Sequence, residues 1–109
     1  MAIETTEDYK AAATTAAVKT LKALSNEKRL MIVCVLFNGE QSVGALEEFI
    51  GLSQSALSQH LARLRRDGIV KTRRDAQTIY YSLNAEGDDV EKILNVLHDL
   101  YCPETRHFV

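Results

Sequence analysis

The first half of the chain carries apolar residues at helical spacing, with few helix breakers. The alanine-rich stretch from Thr5 to Leu24 predicts one helix with a shallow apolar stripe, and Glu27 to Phe37 predicts a second helix. Because Leu30 to Phe37 are all apolar, we expect the second helix to be central and buried on all sides. Asn38 and Gly39 follow it and are typical of a helix end.

Two further helices, separated by a glycine, are predicted in the middle of the chain. Val43 to Ile50 predicts a short helix, and Gly51 permits a sharp turn after it. Ser53 is a typical N-cap for the next helix, which is predicted to run to Asp67. Two helices joined at such a turn, over about residues 43–67, indicate a helix-turn-helix.

The last third of the chain predicts a β-hairpin followed by a helix. Ile69 to Arg73 and Thr78 to Leu83 are rich in β-forming residues and are joined across Arg74 to Gln77. This pattern predicts a hairpin over about residues 69–83. Glu86 to Tyr101 then predicts an amphipathic helix. Its apolar stripe consists of Val90, Ile93, Leu94, Leu97 and Tyr101.

Composition favours a single, mainly α-helical domain spanning residues 1–109. The chain is 46% hydrophobic and 26% charged, with 6% aromatics and one proline, which argues against disorder and against an all-β fold. A chain of 109 residues buries a modest share of its surface, so we expect a homodimer. The polar N-terminus and the lack of a long apolar run predict a cytoplasmic protein without membrane association.

The net charge of −2 conceals a basic segment. Residues 53–83 carry a net charge of +4, and the rest of the chain carries −6. A basic segment in an acidic chain suits a protein that holds DNA phosphates on one face. Charge alone leaves open the alternative of a solvated charged face.

The second helix of the helix-turn-helix has the side chains needed to recognise DNA. Its outer glutamines and serines are short and can hydrogen-bond to base edges in the major groove, while its arginines can bind bases or phosphates. The basic hairpin is expected to contact the flanking DNA. The predicted contacts to double-stranded operator DNA are Gln54, Ser55, Ser58, Gln59, His60, Arg63, Arg66, Arg73, Arg74 and Gln77.

Three segments of the chain resemble a known family. Ala23 to Leu30 has the sequence ALSNEKRL, Leu52 to Leu61 has LSQSALSQHL, and Tyr80 to Leu83 has YYSL. In this order of predicted elements, the segments resemble the ArsR family of winged helix-turn-helix repressors. The resemblance implies a mainly α fold with a β-hairpin wing, a homodimer built from helices at about residues 5–24 and 86–102, and a palindromic operator.

The ligands of metal-sensing ArsR proteins are missing at their usual places. Gln41 to Ala45 contains no cysteine, and Ala85 to Asp89 contains no histidine. A site on the last helix stays open as an alternative, because His98 and Cys102 share a face at i, i+4. We expect His98 at the surface, where histidines are more often not ligands, and therefore predict no metal and no cofactor. The alternative site would consist of His98, Asp99, Cys102, Glu104 and His107.

Cys34 and Cys102 lie 68 positions apart, without the CxxC spacing of a zinc ribbon or a thiol oxidoreductase. Their positions, inside the buried helix and at the end of the last one, resemble the persulfide-responsive members of the ArsR family. The resemblance implies that reactive sulfur species act as inducer and join the two thiols through a polysulfide or disulfide bridge. Taken alone, Cys34 is more often a structural residue whose burial raises its pKa.

Two other classes of protein are alternatives to a sensor. No enzyme is predicted, because the chain has no recognisable Ser-His-Asp arrangement and no glycine-rich phosphate loop. An architectural DNA-binding protein without an inducer is the remaining alternative. Binding that depends on salt but not on DNA sequence is the behaviour expected of that class.

Overall fold

The computed structural model of the chain describes residues 6–84 and 89–102. The predicted bounds of the second and third helices are confirmed. The predicted starts of the first and last helices, Thr5 and Glu86, lie outside the described residues. In chain order the elements are α1 (Thr6–Leu24), α2 (Glu27–Phe37), β1 (Gln41–Ser42), α3 (Val43–Ile50), α4 (Gln54–Arg66), β2 (Val70–Asp75), β3 (Thr78–Leu83) and α5 (Asp89–Tyr101).

Helix α2 lies at the centre of the fold, as its apolar run predicts. It contacts α1, α3, α4, α5 and β3, and its Ile32 and Val33 are fully buried. The prediction of burial on all sides is wrong, because Met31 is 37% exposed and Cys34 is half-buried. One side of α2 therefore stays open beside α3.

The junction between α1 and α2 is held by hydrogen bonds at both helix ends. Asn26 Oδ1 accepts a hydrogen bond from the Arg29 backbone N–H at 3.0 Å and caps α2. The Arg29 guanidinium donates to the carbonyl of Ala23 at 2.7 Å and to that of Lys22 at 3.2 Å. Because these carbonyls belong to the last turn of α1, Arg29 satisfies acceptors that the helix leaves open.

The strands form a three-stranded antiparallel sheet in the order β1-β3-β2. The predicted end of the first hairpin strand at Arg73 is wrong, because β2 continues to Asp75, which pairs with Thr78. The turn contains only Ala76 and Gln77, and Ala76 has a φ of 58°. Strand β1 was not predicted, since a strand of two polar residues has no periodicity of its own.

Helices α1 and α5 leave apolar side chains uncovered. Leu21 on α1 is 57% exposed, and Val96 and Leu100 on α5 are 57% and 65% exposed. Of the predicted stripe of α5, Leu94 is buried in the core, whereas Tyr101 is 76% exposed in a single chain. Helix α5 therefore has one apolar side in the core and a second at the surface. No helix among the described residues is long and apolar enough to cross a membrane.

Candidate DNA-binding surface and thiol pair

The turn between α3 and α4 is determined by a glycine and a serine cap. Gly51 ends α3 with a φ of 75°, a left-handed conformation that glycine adopts without strain. Ser53 Oγ accepts a hydrogen bond from the Ala56 backbone N–H at 3.2 Å, as the predicted N-cap should. Because Leu57 and Leu64 anchor its inner side in the core, α4 presents its opposite side to solvent.

The exposed side of α4 contains five of the predicted DNA contacts. The four short polar side chains lie in the first two turns, where they would leave room for a close approach to base edges. The arginine lies in the last turn and adds positive charge at that end. These exposed residues are Gln54, Ser55, Ser58, Gln59 and Arg66.

The structure places the other two predicted α4 contacts, His60 and Arg63, on a side of the helix that faces α1 and α2. Arg63 Nε donates to Asp67 Oδ2 at 3.2 Å, and Arg63 lines a cavity together with four side chains of α1. Burial, and secondly the positive charge of Arg29, lowers the pKa of His60. Both side chains are partly buried, and their DNA contacts stay a prediction.

Arg65 belongs with the exposed residues, although it is not among the predicted contacts. Together with Ser58, Ala62, Arg66 and Tyr81 it lines a cleft of about 490 Å³ between α4 and β3. The signal was present in the sequence, because Ser58, Ala62 and Arg65 follow one another at i, i+4 and i+7 and so share a helix face. The cleft joins the recognition helix to the wing.

The hairpin of β2 and β3, the wing, carries the three remaining predicted contacts. Arg73, Arg74 and Gln77 are all exposed, and Arg74 and Gln77 lie at or near the tip. The Arg73 guanidinium is already engaged within the chain. It donates two hydrogen bonds to Glu40 at 2.8 and 3.0 Å, and its central carbon lies 4.5 Å from the centre of the Tyr80 ring.

Cys34 lies on the open side of α2, on the wall of an apolar cavity. The cavity measures about 370 Å³ and is lined by side chains of α2 and α3, with Met31 and Phe49 among them. Burial raises the pKa of the Cys34 thiol from 9.0 to about 11, which confirms the predicted direction. The thiol is therefore protonated at neutral pH, and it can be reached through the cavity.

Cys102 directly follows α5 and comes near Cys34. Its backbone N–H donates to the His98 carbonyl at 2.8 Å, so Cys102 extends the last turn of the helix. Coulombic repulsion from Cys102 is the second cause, after burial, of the raised pKa of Cys34. Such an influence requires proximity, and α2 and α5 are in contact. The fold thus brings two free thiols from distant parts of the sequence within electrostatic reach.

The alternative metal site is not assembled within residues 6–84 and 89–102. No group of three or more histidine, cysteine or acidic side chains is placed there to hold a metal ion. The expectation of a surface histidine is wrong, because His98 is 3% exposed, on the same buried side of α5 as Leu94. Glu104 and His107, which would complete the site, lie outside the described residues.

An exposed polar recognition helix, joined by a glycine turn to a shorter helix and followed by a basic hairpin, defines a winged helix-turn-helix DNA-binding protein. Residues 26–72 match the model of a family described as bacterial regulatory protein, arsR family. HlyU of Vibrio cholerae serotype O1, named as a transcriptional activator, is 55% identical over 86 residues, which cover 79% of this chain and 78% of HlyU. The chain belongs to the ArsR family, and it is a DNA-binding transcriptional regulator rather than an enzyme.

Three solved structures are similar to this chain. Reduced HlyU from Vibrio cholerae has a TM-score of 0.80 and 50% identity, and the match covers 86% of this chain and 97% of HlyU. The transcriptional repressor BigR from Xylella fastidiosa has a TM-score of 0.76 and 42% identity, with coverage of 94% and 99%. The homodimeric winged helix-turn-helix domain of Mb0332 from Mycobacterium bovis has a TM-score of 0.74 and 30% identity, with coverage of 98% of each chain.

Proposed function

We propose that this chain is a homodimeric repressor that leaves its operator when sulfur joins Cys34 to Cys102 within one subunit. The observation that carries the proposal is the contact of α2, which contains the free thiol of Cys34, with α5, which the free thiol of Cys102 directly follows. A bridge between them would connect the central helix α2 to α5, the helix whose exposed apolar side is available for a second subunit. The inducer would be a reactive sulfur species, such as a persulfide or an organic trisulfide.

The chemistry consists of two thiolate displacements on one sulfur atom. With an organic trisulfide RSSSR, Cys102 Sγ attacks the central sulfur, and one RS⁻ leaves. Cys34 Sγ then attacks the same sulfur, and the second RS⁻ leaves, so that Cys34 and Cys102 end as a protein trisulfide. The two thiol protons are found on two RSH molecules, and no external oxidant is needed. Cys34 is assigned the second attack because a protonated thiol is a poor nucleophile.

The second subunit is supported by the uncovered apolar side chains of α1 and α5. Val18 and Leu21 on α1, and Val96 and Leu100 on α5, expose 40% to 65% of their surface in a single chain. Apolar area of this kind is typical of a surface that another chain covers. The structural similarity to the homodimeric Mb0332 domain supports the same arrangement.

A bridge between the thiols could weaken DNA binding by changing the geometry of the dimer. Two recognition helices of a dimer must lie about 34 Å apart to enter successive major grooves on one face of DNA. A bridge that changes the angle between α2 and α5 would move each α4 relative to the dimer axis, since α2 contacts α4. The spacing would no longer match the operator, and affinity would fall.

An operator titration with matched cysteine variants tests this function. The operator is first selected from random duplexes, and binding is measured by fluorescence anisotropy before and after treatment with dipropyl trisulfide. We expect release of the wild-type protein, with dithiothreitol restoring binding. Cys34→Ser and Cys102→Ser should each bind the operator normally but stay bound after treatment. Release of the double variant would refute the thiol mechanism, and a failure to select any preferred sequence would identify an architectural protein.

Addition and removal of metal ions distinguish the thiol mechanism from the metal-responsive alternative. In the proposed mechanism, zinc or a chelator leaves operator affinity unchanged in the presence of a reductant. Release by metal in the Cys34→Ser variant would favour the last-helix site instead, because Cys34 is not among its ligands.

A further inference from the structure

Three side chains from separate parts of the chain meet on one face of the sheet. Arg73 lies opposite Tyr80 in the pairing of β2 with β3, and Glu40 immediately precedes β1, the strand on the other side of β3. Arg73 Nε lies 3.0 Å from Glu40 Oε2, and Arg73 Nη2 lies 2.8 Å from Glu40 Oε1. The guanidinium also covers the Tyr80 ring at 4.5 Å. We call Glu40, Arg73 and Tyr80 the wing clamp.

The ion pair of the clamp is bidentate and strongly directional. Two parallel charge-assisted hydrogen bonds hold a guanidinium in one orientation, which a single contact with lysine cannot do. The hydrogen bond from Arg73 lowers the pKa of Glu40, and the same bond raises the pKa of Arg73. Both groups therefore stay charged throughout the neutral pH range, and the pair persists.

The clamp connects the wing to the end of the central helix. Glu40 follows Phe37, the last residue of α2, by three positions. The wing otherwise projects as a two-stranded hairpin with a two-residue turn at Ala76 and Gln77. An ion pair across β3 therefore restrains the angle between the hairpin and the body of the protein.

We propose that Glu40 and Arg73 are positioning residues that set the angle of the wing for DNA binding, and that Arg73 acts through Glu40 and Tyr80 rather than by contacting a phosphate. A phosphate approaching the Nε–Nη2 edge of Arg73 would have to displace two hydrogen bonds, and one approaching the remaining N–H groups would still be repelled by the nearby Glu40 carboxylate. Arg74 and Gln77 remain exposed to contact the DNA. This inference rests on DNA binding and is independent of the proposed thiol switch.

A positioning role and a phosphate contact of Arg73 predict opposite effects of Glu40→Gln on operator affinity. If Arg73 bound a phosphate, Glu40→Gln would free the guanidinium, remove a repelling charge and tighten binding. If the clamp positions the wing, Glu40→Gln weakens operator binding by about twofold to fivefold, the range expected for an exposed pair. Arg73→Lys, which keeps the charge but loses the bidentate geometry, should weaken binding equally. The double variant should bind no more weakly than either single variant.

The salt dependence of operator binding is a second test of the positioning role, with the adjacent arginine as a matched control. Arg73→Gln should leave the slope of log affinity against log salt unchanged, because no phosphate contact is lost. The adjacent Arg74→Gln should reduce that slope by about one. Glu48→Gln, which removes an exposed carboxylate outside the clamp, should not weaken binding. Tighter binding by Glu40→Gln, or a slope reduced by about one in Arg73→Gln, would overturn the proposal.

Amide spectra of the free, full-length chain test the clamp without DNA. Glu40→Gln should shift the Ala76 and Gln77 amide resonances and leave those of the α4 core residues Leu57 and Leu61 in place. Unshifted wing-tip resonances would overturn the positioning role. A wild-type protein that binds no selected operator would instead count against the DNA-binding function, so the two failures are distinguishable.

Discussion

Leucine side chains are buried in the helix-turn-helix but exposed on the two outer helices, α1 and α5. In α3 and α4, Leu46, Leu57 and Leu64 are at most 1% exposed, and the outer side of α4 is polar. In α1 and α5, Leu21 and Leu100 are 57% and 65% exposed. The DNA-facing region is thus completed within one chain, whereas the outer helices present apolar surface that one chain does not cover.

The two thiols lie where these regions meet. Cys34 belongs to α2, which contacts both α4 and α5, and Cys102 follows α5. In the proposed mechanism, a bond between them would change the connection between the DNA-facing region and the outer helices without altering the recognition surface. By this mechanism, the protein would lose its operator while its recognition helix stays folded.

Shortening a leucine in the DNA-facing region should have the largest effect. Leu64→Ala removes a fully buried side chain and should lower the free energy of unfolding by about 2–5 kcal/mol, measured by urea denaturation. Leu21→Ala is the matched variant in α1. Its destabilisation should depend on protein concentration, because Leu21 is expected to pack against the second subunit in the proposed homodimer. Equal, concentration-independent losses in both variants would contradict the distinction between the two regions.

Placing a charge on the outer helices should separate the subunits. Leu100→Lys puts a cation on the exposed apolar side of α5 and should weaken operator binding by about a hundredfold, since one subunit loses the help of a tethered second subunit. Analytical ultracentrifugation should detect monomers. Asn95→Lys, at an exposed polar position of the same helix, is the control and should remain dimeric. A monomeric wild-type protein with the same affinity as Leu100→Lys would disprove the predicted homodimer.

The pH dependence of alkylation tests whether burial disfavours the thiolate of Cys34, which lies where the DNA-facing region meets the outer helices. In Cys102→Ser, the rate of Cys34 alkylation by iodoacetamide should rise with pH to a midpoint above 9.0, because burial, the larger cause of the raised pKa, remains in this variant. At neutral pH the folded variant should therefore contain less thiolate at this site than the urea-unfolded chain. A midpoint near 9 in the folded protein would mean that the thiol is fully solvated.

The smallest predicted effect concerns the tip of the wing. Ala76 has a φ of 58°, which is unfavourable for a residue with a Cβ, so Ala76→Gly should stabilise the protein by about 0.5–1 kcal/mol. Ala62→Gly, at an exposed position inside α4, should destabilise it by about the same amount. Thermal denaturation measures the stability of both variants. A change of the same sign in both would contradict the left-handed conformation assigned to Ala76.

Local chemistry explains which parts of the fold could be predicted. The bounds of α2 and α3 follow from apolar runs and caps, and the N-cap at Ser53 follows from its side chain and its neighbours. The end of β2 was misplaced because Arg74 and Asp75 are charged residues that suit a turn as well as an exposed strand. Strand β1 exists only through its pairing with Tyr80 and Tyr81, which lie too far along the chain for a local pattern to indicate.

The sequence indicates which residues the candidate site contains. It indicates less well which of their side chains are exposed and which contact other parts of the chain. The exposed positions of α4 follow from helical periodicity, which also places Arg65 there. The inward positions of His60 and Arg63 depend on the path of α1, and the Arg73 ion pair joins residues that are 33 positions apart. The burial of His98 likewise depends on how α5 packs. Contacts of this range have no signature in a single sequence.

Mass spectrometry of the protein after treatment with dipropyl trisulfide tests the proposed sensor most directly. We expect a protease digest without reductant to contain one cross-linked species, which joins the peptides of Cys34 and Cys102 through one added sulfur atom and which reductant removes. The undigested, denatured protein should have the mass of one chain, because the link lies within one subunit. Separate propyl-capped peptides at both cysteines, or a link between two subunits, would contradict the account.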